Sequence, residues 1–397
     1  MRFNIQRLRH WITPASSYLG IEFTDSAVKL TELTIKKGAP PCITSCVLEP
    51  LPKHAIQDGK IVEPQEVVRT LQTAKARLSK RANRANICLP SQNVMVRFMK
   101  FPDIPLKELR QVIDFEIKHT IHLPFEDPVY DFVKLTGHNN QRSPVKLLKR
   151  EAAATKQMTV AGREAAASAE GLFGSKNHDP FADLDKQSQD KPEEELCDVM
   201  LVAVPRAMVE EYMALFKQAG IRLGSIEIKA MSLFRCLQTE REQPQGTFLL
   251  IDVNETICDV NVFADSQLKI SRNVQVAFGE EPSKEPQEDS FSWLSDPADS
   301  GDSGFHHACS ELAHELERLI NFYKYTLNNR NEEFLVLYIA GDVKRLDEIA
   351  EYLQNRLSLK AAKLIVQADW DRPLRSIKLA PEAFAASIGL ALRGADA

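Results

Sequence analysis

The sequence predicts a mixed α/β fold made of two similar halves, each a sheet covered by helices, with a cleft between them. Two stretches share one pattern of apolar strand, short polar tip and alternating strand: "YLGIEFTDSAVKLTEL" and "TFLLIDVNETICDVNVF". Predicted strands and helices alternate through the rest of the chain, which is typical of a sheet with helical layers. Duplicated halves place the natural ligand position in the cleft between them.

The first predicted half, residues 17–90, begins with the hairpin and continues into a helix and a strand. The hairpin covers about residues 18–50 and ends at the prolines of "CITSCVLEPLP". "EPQEVVRTLQTAKARLSK" predicts a helix, because Pro64 suits a first helical turn and apolar residues recur at helical spacing over residues 67–78. "ANICLP" then predicts a strand.

A smaller α+β subdomain is predicted as an insertion over residues 91–222. It contains an alternating strand in "NVMVRFMKFP", a helix in "PLKELRQVIDFEIKHTIHLPF", strands in "VYDFVKL" and "CDVMLVAVP", and a helix closed by Gly220. Residues 138–196 are polar, charged and rich in Ala and Ser, so they predict a mobile insertion in which a transient helix could form.

The chain then returns to the first half and builds the second. Residues 223–240 and the C-terminal helix, 380–394, are assigned to the first half, and residues 245–376 to the second. The second half contains the second hairpin, a charged loop over 279–304, a long amphipathic helix, a strand running into Gly341 and a further helix. The small residues of "APEAFAASIGLALRG" suit a C-terminal helix that packs closely against a sheet.

Composition excludes several classes of protein. Of the 397 residues, 44% are hydrophobic and 26% charged, as in ordinary globular proteins, and the net charge of -5 argues against nucleic-acid binding. The seven cysteines contain no C-x-x-C pair, which favours buried reduced thiols in a cytosolic protein over a metal or disulfide role. No run reaches the roughly 18 apolar residues that a membrane span needs.

Residues 1–16 form a basic tail with an amphipathic pattern. Apolar side chains over residues 5–12 share one helical face, and three arginines supply positive charge. Such a segment could lie on an anionic membrane surface, which would make the association peripheral. Packing against the body of the protein, or a frayed terminus, is the alternative.

Five segments occur in the order found in the PilM family: "GIEFTDSAVKLTEL", "VLEPLPKHAIQDGKIVEPQEVVRTLQ", "LPSQNVMVRFMKFPDIPLKELRQVIDFEIKHTIHLPFEDPVYDF", "IDVNETICDVNVF" and "AFAASIGLALR". The chain therefore resembles this family of type IV pilus assembly proteins, apart from its first 16 residues and the two charged segments. The resemblance implies an actin-like fold of the FtsA and PilM type, with an inserted subdomain in the first half. It also implies a cytoplasmic protein at the inner face of the membrane.

The same resemblance implies partners and a cofactor. Members of the family bind the N-terminal tail of the membrane protein PilN, and through it they connect to the pilus alignment complex and the motor ATPases. ATP with Mg²⁺ is implied for the cleft, where two hairpin tips would hold the phosphates and a glycine-rich turn the adenosine.

The first hairpin tip departs from the pattern that the resemblance implies. Glu22 takes the acidic position, Thr24 stands where glycine is expected, and Asp25 replaces a small hydroxyl residue. Ser26 remains, and Lys29 lies where relatives also carry lysine.

The second tip departs as well. Asp252 keeps the acid that would orient magnesium-bound water, and it would be catalytic only in an active ATPase. Asn254 and Glu255 take the positions of glycines, followed by Thr256. Asn tolerates the left-handed backbone that a glycine would supply.

The third position, the adenosine turn, becomes Gly341-Asp342-Val343, and valine does not tolerate a left-handed backbone. Asp25, Glu255 and Asp342 together put up to three carboxylates where the triphosphate would lie. Like charges in contact cost on the order of 1 kcal/mol each in water and more in a drier cleft. The sequence therefore predicts a degenerate nucleotide site, weak or lost, in which ATP and Mg²⁺ are doubtful.

Histidines indicate no further chemistry. His119 and His122 are three residues apart at a helix end without a visible metal partner. His306 and His307 fall in the predicted charged loop, where we expect them to be solvated. No metal site and no nucleophile–base arrangement is predicted.

Interaction is therefore the predicted function, and the partner site is assigned to segments. Residues 94–101 and 106–121 would form one wall of a groove that takes an extended peptide. The alternative is that Met95, Met99 and Phe101 belong to the core.

Three other functions stay open at this point. One is an active ATPase of the same fold that uses turnover to drive assembly. Another is a GspL-like cytoplasmic component of a type II secretion system, although those proteins continue into a transmembrane helix. An FtsA-like division protein is the third, and it would need a C-terminal amphipathic membrane helix.

Overall fold

The structure is a computed structural model. It describes residues 16–35, 41–78, 82, 84–135, 195–239, 245–278, 300–364, 369–370 and 380–394. The predicted basic tail, the transient helix and almost all of the predicted mobile insertion and charged loop lie outside these residues.

Strands in the described part are β1 (Ser16–Phe23), β2 (Ala27–Ile35), β3 (Cys42–Pro50), β4 (Ile56–Gln57), β5 (Lys60–Ile61), β6 (Arg84–Cys88), β7 (Met95–Pro102), β8 (Pro128–Lys134), β9 (Leu196–Pro205), β10 (Arg222–Glu227), β11 (Thr247–Val253), β12 (Ile257–Ala264), β13 (Gln267–Gln275), β14 (Phe334–Gly341), β15 (Lys360–Lys363) and β16 (Asp369–Trp370).

Helices in the same residues are α1 (Pro64–Ala76), α2 (Leu106–His119), α3 (Arg206–Gln218), α4 (Lys229–Leu237), α5 (Ser300–Asn321), α6 (Leu346–Leu357) and α7 (Ala385–Arg393). A π-helical turn, Phe322–Thr326, extends α5. Short 3₁₀ turns occur at Ser91–Asn93 and Pro381–Phe384.

Two sheets share one topology. The larger has the order β10-β6-β1-β2-β3-β16 and the smaller β13-β12-β11-β14-β15. In each, three consecutive strands pair antiparallel, a later strand pairs in parallel with the first of them, and one more strand pairs in parallel with that one. This repeated pairing confirms the prediction of two similar mixed-sheet halves.

The described residues divide into two compact units. The first unit contains the described residues within Met1–Arg97, Phe125–Asp131 and Val202–Ala397. Both large sheets belong to this unit. The second unit contains the described residues within Phe98–Pro124 and Phe132–Leu201, which include helix α2. Strands β7, β9 and β8 form a separate three-stranded sheet in that order.

Helix α7 packs backbone to backbone in the first half. A Cβ on Gly389 would lie 1.8 Å from the Ser232 carbonyl oxygen of α4, so a larger residue would separate the two helices. On the sheet side, Ser387 Oγ lies 2.7 Å from Thr31 Oγ1 of β2. The small residues of the C-terminal segment therefore have the close-packing role that the sequence predicts.

The charged loop is shorter than predicted. Helix α5 begins at Ser300, so His306 and His307 lie on a helix and the prediction of a loop for them is wrong. Phe305 lies in the added part of the helix and packs against the buried core of the second half, which explains the earlier start. Both histidines are exposed, which confirms the prediction that they are solvated.

Strand β7 does not have one buried and one exposed face. Met95 and Met99 are half-buried, as are Val96 and Phe98, whereas Phe101 is buried. The predicted strand is nevertheless observed, and the core alternative holds for Phe101 alone.

The seven cysteines are free thiols, of which five are buried and Cys42 and Cys46 are half-buried. Burial raises the pKa of several of them, Cys46 to about 12, so these thiols are poor nucleophiles. Among the helices of the described residues, none combines the length and the hydropathy required of a membrane span.

Candidate functional site

The first hairpin places a carboxylate and an ammonium group opposite each other. Glu22 on β1 and Lys29 on β2 are direct partners in the antiparallel register, so their side chains share one face. Both are fully buried, with relative exposures of 1% and 0%. Lys29 Nζ lies 3.6 Å from Glu22 Oε2.

The second hairpin places two carboxylates opposite each other. Asp252 on β11 and Asp259 on β12 are direct partners in the register, and both are buried. Like charges at such a position repel unless a cation lies between them. Lys229, the first residue of α4, supplies it: Nζ lies 2.8 Å from Asp259 Oδ2 and also forms an ion pair with Asp252.

Both lysines join the two halves. Lys229 Nζ lies 2.8 Å from Glu22 Oε1, although that oxygen has no well-directed hydrogen bond. Lys29 Nζ lies 3.0 Å from Asp342 Oδ2 and donates to Asn254 Oδ1 at 3.0 Å. The Asn254 amide in turn donates to Asp252 Oδ2 at 2.9 Å.

We call these residues the ion-pair cluster. Four carboxylates surround two ammonium groups and one amide, and each half of the fold contributes side chains. Its members are Glu22, Lys29, Lys229, Asp252, Asn254, Asp259 and Asp342.

Glycine at position 341 allows Asp342 to enter the cluster. Gly341 has φ +143, and a Cβ there would lie 2.0 Å from the Val253 carbonyl oxygen. The Asp342 N–H donates to the same oxygen at 3.2 Å, which fixes the end of β14 beside β11. Gly341 therefore allows close backbone packing. Val343 does not have a positive φ, so the strain considered for a valine at this turn is not present.

Burial and charge act differently on the carboxyls of the cluster. Burial raises the pKa of Glu22 despite the two neighbouring lysines. For Asp252 burial acts in the same direction, but Lys229 and Lys29 outweigh it and lower the pKa below its usual range. Burial disfavours the charged lysines, yet the surrounding carboxylates raise the pKa of both Lys29 and Lys229, so both are ammonium ions at neutral pH.

The first tip uses its own polar groups to hold the turn. Thr24 N and Thr24 Oγ1 both donate to the Ala27 carbonyl, at 2.9 and 3.2 Å. Ser26 Oγ lies 3.4 Å from Thr24 Oγ1. Asp25 accepts a hydrogen bond from Gly59 N at 3.2 Å, in the tight turn between β4 and β5, and burial raises the pKa of Asp25.

The second tip has a different backbone from the one expected. Asn254 does not have a positive φ, so it does not replace a left-handed glycine, and its side chain bonds in the cluster instead. Glu255 and Thr256 are exposed. Their carbonyl oxygens accept hydrogen bonds from Phe278 N at 2.7 Å and Val276 N at 3.2 Å.

The predicted site residues thus come together only in part. Asp342 is neutralised by Lys29, so the three carboxylates named from the sequence do not form one repulsive cluster. Asp25 and Glu255 line a cavity between the tips, together with Lys229 and Asp259. The cavity measures about 30 Å³, which holds one or two waters and is about tenfold smaller than an ordinary small-molecule site.

The present side chains do not fit a bound Mg²⁺ ion. The Lys229 ammonium occupies the space between Glu22, Asp252 and Asp259 where a cation would be attracted. Within the described ranges, no group of three or more His, Cys, Asp or Glu is arranged to hold a metal ion.

Sequence reasoning missed Lys229 and Asp259, although each left a signal. Lys229 stands among apolar residues in "SIEIKAMSLF", directly after a predicted strand. Asp259 interrupts the apolar strand "ICDVNVFA", and the hairpin register puts it opposite Asp252. Two acids facing each other on buried strands indicate a buried cation, because unpaired buried charges are very costly.

Segments assigned to the partner groove are exposed in part. Strand β7 is an edge strand of its three-stranded sheet and pairs with β9. Helix α2 exposes Phe115, 60% accessible, and Leu106, 46% accessible, whereas Leu109 and Ile113 are buried.

Comparison with known proteins finds one family model that matches part of the chain. Residues 20–175 match the family described as "Type IV pilus assembly protein PilM". The resemblance to PilM is confirmed. No curated protein sequence matches the chain.

Solved structures supply the fold. The chain is similar to the "PilM-PilN type IV pilus biogenesis complex", with a TM-score of 0.66 and 19% identity, over 95% of this chain and 98% of that one. This similarity confirms the actin-like fold that the PilM resemblance predicts.

Two more distant structures have TM-scores below 0.5. The ethanolamine utilization protein EutJ from Carboxydothermus hydrogenoformans gives 0.45 with 11% identity, over 96% of this chain and 90% of that one. MreB5 of Spiroplasma citri bound to ADP gives 0.43 with 9% identity, over 94% of each chain.

Proposed function

We propose that this chain is a cytoplasmic actin-like scaffold of type IV pilus assembly. It binds the N-terminal cytoplasmic tail of a PilN-like inner-membrane protein and links it to the pilus alignment complex and the motor ATPases. The observation that carries the proposal is the family match over residues 20–175, which includes both segments of the predicted groove. The similarity in fold to the PilM–PilN complex supports the same partner.

The partner peptide would bind along β7 and α2. An edge strand has backbone N–H and C=O groups available for pairing with an extended peptide. Phe115 and Leu106 on α2 would cover apolar side chains of that peptide, since both are exposed in this structure.

Calorimetry with a synthetic peptide tests the partner. We expect the full chain to bind the N-terminal cytoplasmic residues of the PilN-like protein encoded beside it, at micromolar to millimolar concentration. Phe115→Ser should weaken binding about tenfold, because a large apolar contact contributes one to three kcal/mol at an interface. Met213→Ser, a change at an equally exposed apolar residue on α3, is the matched control. An unaltered affinity in Phe115→Ser, or no binding by the wild type, would overturn the proposed site.

The scaffold would act without nucleotide turnover. Lys29 and Lys229 neutralise the carboxylates of the ion-pair cluster, so the halves are held together by internal charges. The backbone N–H and the hydroxyl of Thr24 in the first tip are engaged in its own turn. ATP and Mg²⁺ would have to displace both sets of contacts.

Titration with a fluorescent ATP analogue and magnesium tests this part. We expect no saturable binding at micromolar concentration. Saturable micromolar binding, or phosphate release that Asp252→Asn abolishes, would instead favour an active ATPase. Such an outcome would not change the result of the peptide experiment. Partner binding and the lack of nucleotide turnover can therefore be refuted separately.

Association with the membrane would follow from the partner. Fractionation of cells that contain or lack the PilN-like protein tests it. We expect the chain in the membrane fraction only when the partner is present; membrane recovery without the partner would contradict partner-mediated association.

A further inference from the structure

A second groove lies in the second half, away from the ion-pair cluster. It has a volume of about 480 Å³ and runs between β12–β13 and the end of α5. Its apolar surface comes from both layers, and its lining carries two arginines, aromatic side chains and one carboxylate, Glu315, which pairs with Arg318. The residues used below are Val260, Val274, Leu319, Phe322, Arg272 and Tyr325.

The helical side of the groove is a π-helical turn. After Asn321 the chain widens into the turn Phe322–Thr326, a conformation that is rare and frequent at functional sites. Tyr323 anchors the turn, because it is buried and its hydroxyl donates to Glu332 Oε2 at 2.5 Å. The same turn leaves Tyr325 63% exposed at the rim of the groove.

The strand side carries Arg272, a cation without a carboxylate partner in the part of the chain that the structure describes. The Arg272 guanidinium lies over the Phe322 ring, 4.9 Å from its centroid. Among the described residues, no carboxylate lies within ion-pair distance of Arg272. By contrast Arg318, on the helix, has its ion pair with Glu315 at 2.6 Å. Arg272 therefore has its planar donor groups available for an anionic ligand.

The backbone beside the groove is also available. Strand β13 pairs with β12 on one side and is the edge strand of its sheet in the described part of the chain. Arg272 and Val274 face the helical layer, because they lie opposite Val260 and Cys258, which are buried against that layer. An extended chain next to β13 would thus have its side chains over the groove.

We propose that this groove binds an extended peptide segment of a partner protein, with a carboxylate side chain next to an aromatic or large aliphatic one. The carboxylate pairs with Arg272, and the apolar side chain packs between Phe322, Tyr325 and the buried Leu319. Arg and Tyr are among the residue types enriched at interface hot spots, and an open groove beside an edge strand fits a chain better than a compact ligand. The proposal does not depend on the PilN-like partner, which is assigned to β7 and α2.

A peptide array with two matched sets tests the proposal. Short synthetic peptides carry a central Glu or Asp next to Leu, Phe or Tyr, and the second set replaces the acid by Gln or Asn. The full chain, labelled at its N-terminus, is the protein applied. We expect the acidic set to bind at least about tenfold more tightly than the amide set, as charge-assisted pairing with Arg requires.

Variants locate the binding. Arg272→Gln should reduce the affinity for the acidic peptides about tenfold and remove the difference between the two peptide sets. The control is Arg222→Gln, at an exposed arginine on β10, which should leave the affinity and the difference unchanged. Hydrogen exchange should slow in residues 267–275 and 315–326 when the best peptide binds. Equal binding of the two sets, no binding by either, or unchanged affinity in Arg272→Gln would overturn the proposal. Because Arg272 is exposed, the variant should unfold at the wild-type temperature, which differential scanning calorimetry checks.

Discussion

Lys29 of the first half forms a buried ion pair with Asp342 of the second half, with Nζ 3.0 Å from Oδ2. The two residues lie on different sheets and far apart in the chain, so the pair links the halves directly. The same ammonium group also bonds Asn254 and lies near Glu22. The pair is therefore a contact through which each half affects the stability of the other.

A double-mutant cycle on this pair should show strong coupling. Lys29→Met leaves buried carboxylates unpaired, and we expect it to lower the free energy of unfolding by about 3–5 kcal/mol. Lys29→Met with Asp342→Asn should cost less than the sum of the single changes by about 1–3 kcal/mol, because removing both charges avoids an unpaired one. Urea unfolding measures all four proteins. Additive losses would contradict a direct pair.

Lys229→Met should be among the most destabilising changes in the chain. It removes the cation shared by Glu22, Asp252 and Asp259, so we expect a loss of about 3–5 kcal/mol or failure to fold. The control is Lys363→Met, which breaks pairs of a partly exposed lysine and should cost at most about 1 kcal/mol. Thermal and urea unfolding of both variants measure the two losses of stability. Similar losses in Lys229→Met and Lys363→Met would show that the ion-pair cluster has no special role.

Glu22 and Asp252 should respond oppositely to neutralisation. The pKa of Glu22 is raised above 4.5, so its charge opposes folding at neutral pH, whereas the pKa of Asp252 is lowered below 3.8, so its charge favours folding. At pH 7, Glu22→Gln should therefore cost less stability than Asp252→Asn. The contribution of Asp252 is present above pH 3.8 and is lost as the pH falls through its lower folded value.

Unfolding free energies measured from pH 7 to pH 3 test this difference. The gap between Asp252→Asn and the wild type should narrow towards acid pH, since the wild-type carboxylate then also becomes neutral. A gap that stays constant, or a larger cost for Glu22→Gln, would refute the assignment.

Gly341→Ala should destabilise the second half. The new methyl group would lie 2.0 Å from the Val253 carbonyl oxygen, at a backbone angle of φ +143 that alanine disfavours. We expect a loss of about 2–4 kcal/mol from strain and overpacking, measured by urea unfolding. Gly304→Ala is the matched control, because α5 leaves open space there and alanine should stabilise the helix by about 0.5–1 kcal/mol. Two equal effects would disprove the close-packing role of Gly341.

Local pattern accounted for most elements. The helix predicted from Pro64 is observed at Pro64–Ala76, and the one predicted before Gly220 at Arg206–Gln218. Gly220 itself has φ +65, as a helix-ending glycine requires. These features depend on residues close together in the chain, which is why periodicity and end signals were sufficient.

The start of α5 and the burial of side chains along β7 were not predictable in this way. The helix begins at Ser300 within a segment whose charge predicts a loop, because packing of Phe305 against the core of the second half outweighs local composition. Most side chains of β7 are half-buried, so the alternation that predicts the strand does not appear as alternating burial.

The candidate site likewise has features that local sequence predicts and features that only the tertiary structure shows. The sequence by itself determined the two hairpins and the departures at Thr24, Asp25 and Asn254, since all of these are local. Only the tertiary structure decided what the acids contact. It placed Lys229 between carboxylates of both halves and Lys29 against Asp342, because the partners of a buried charge are chosen by packing of distant segments, and desolvation makes the pairing necessary.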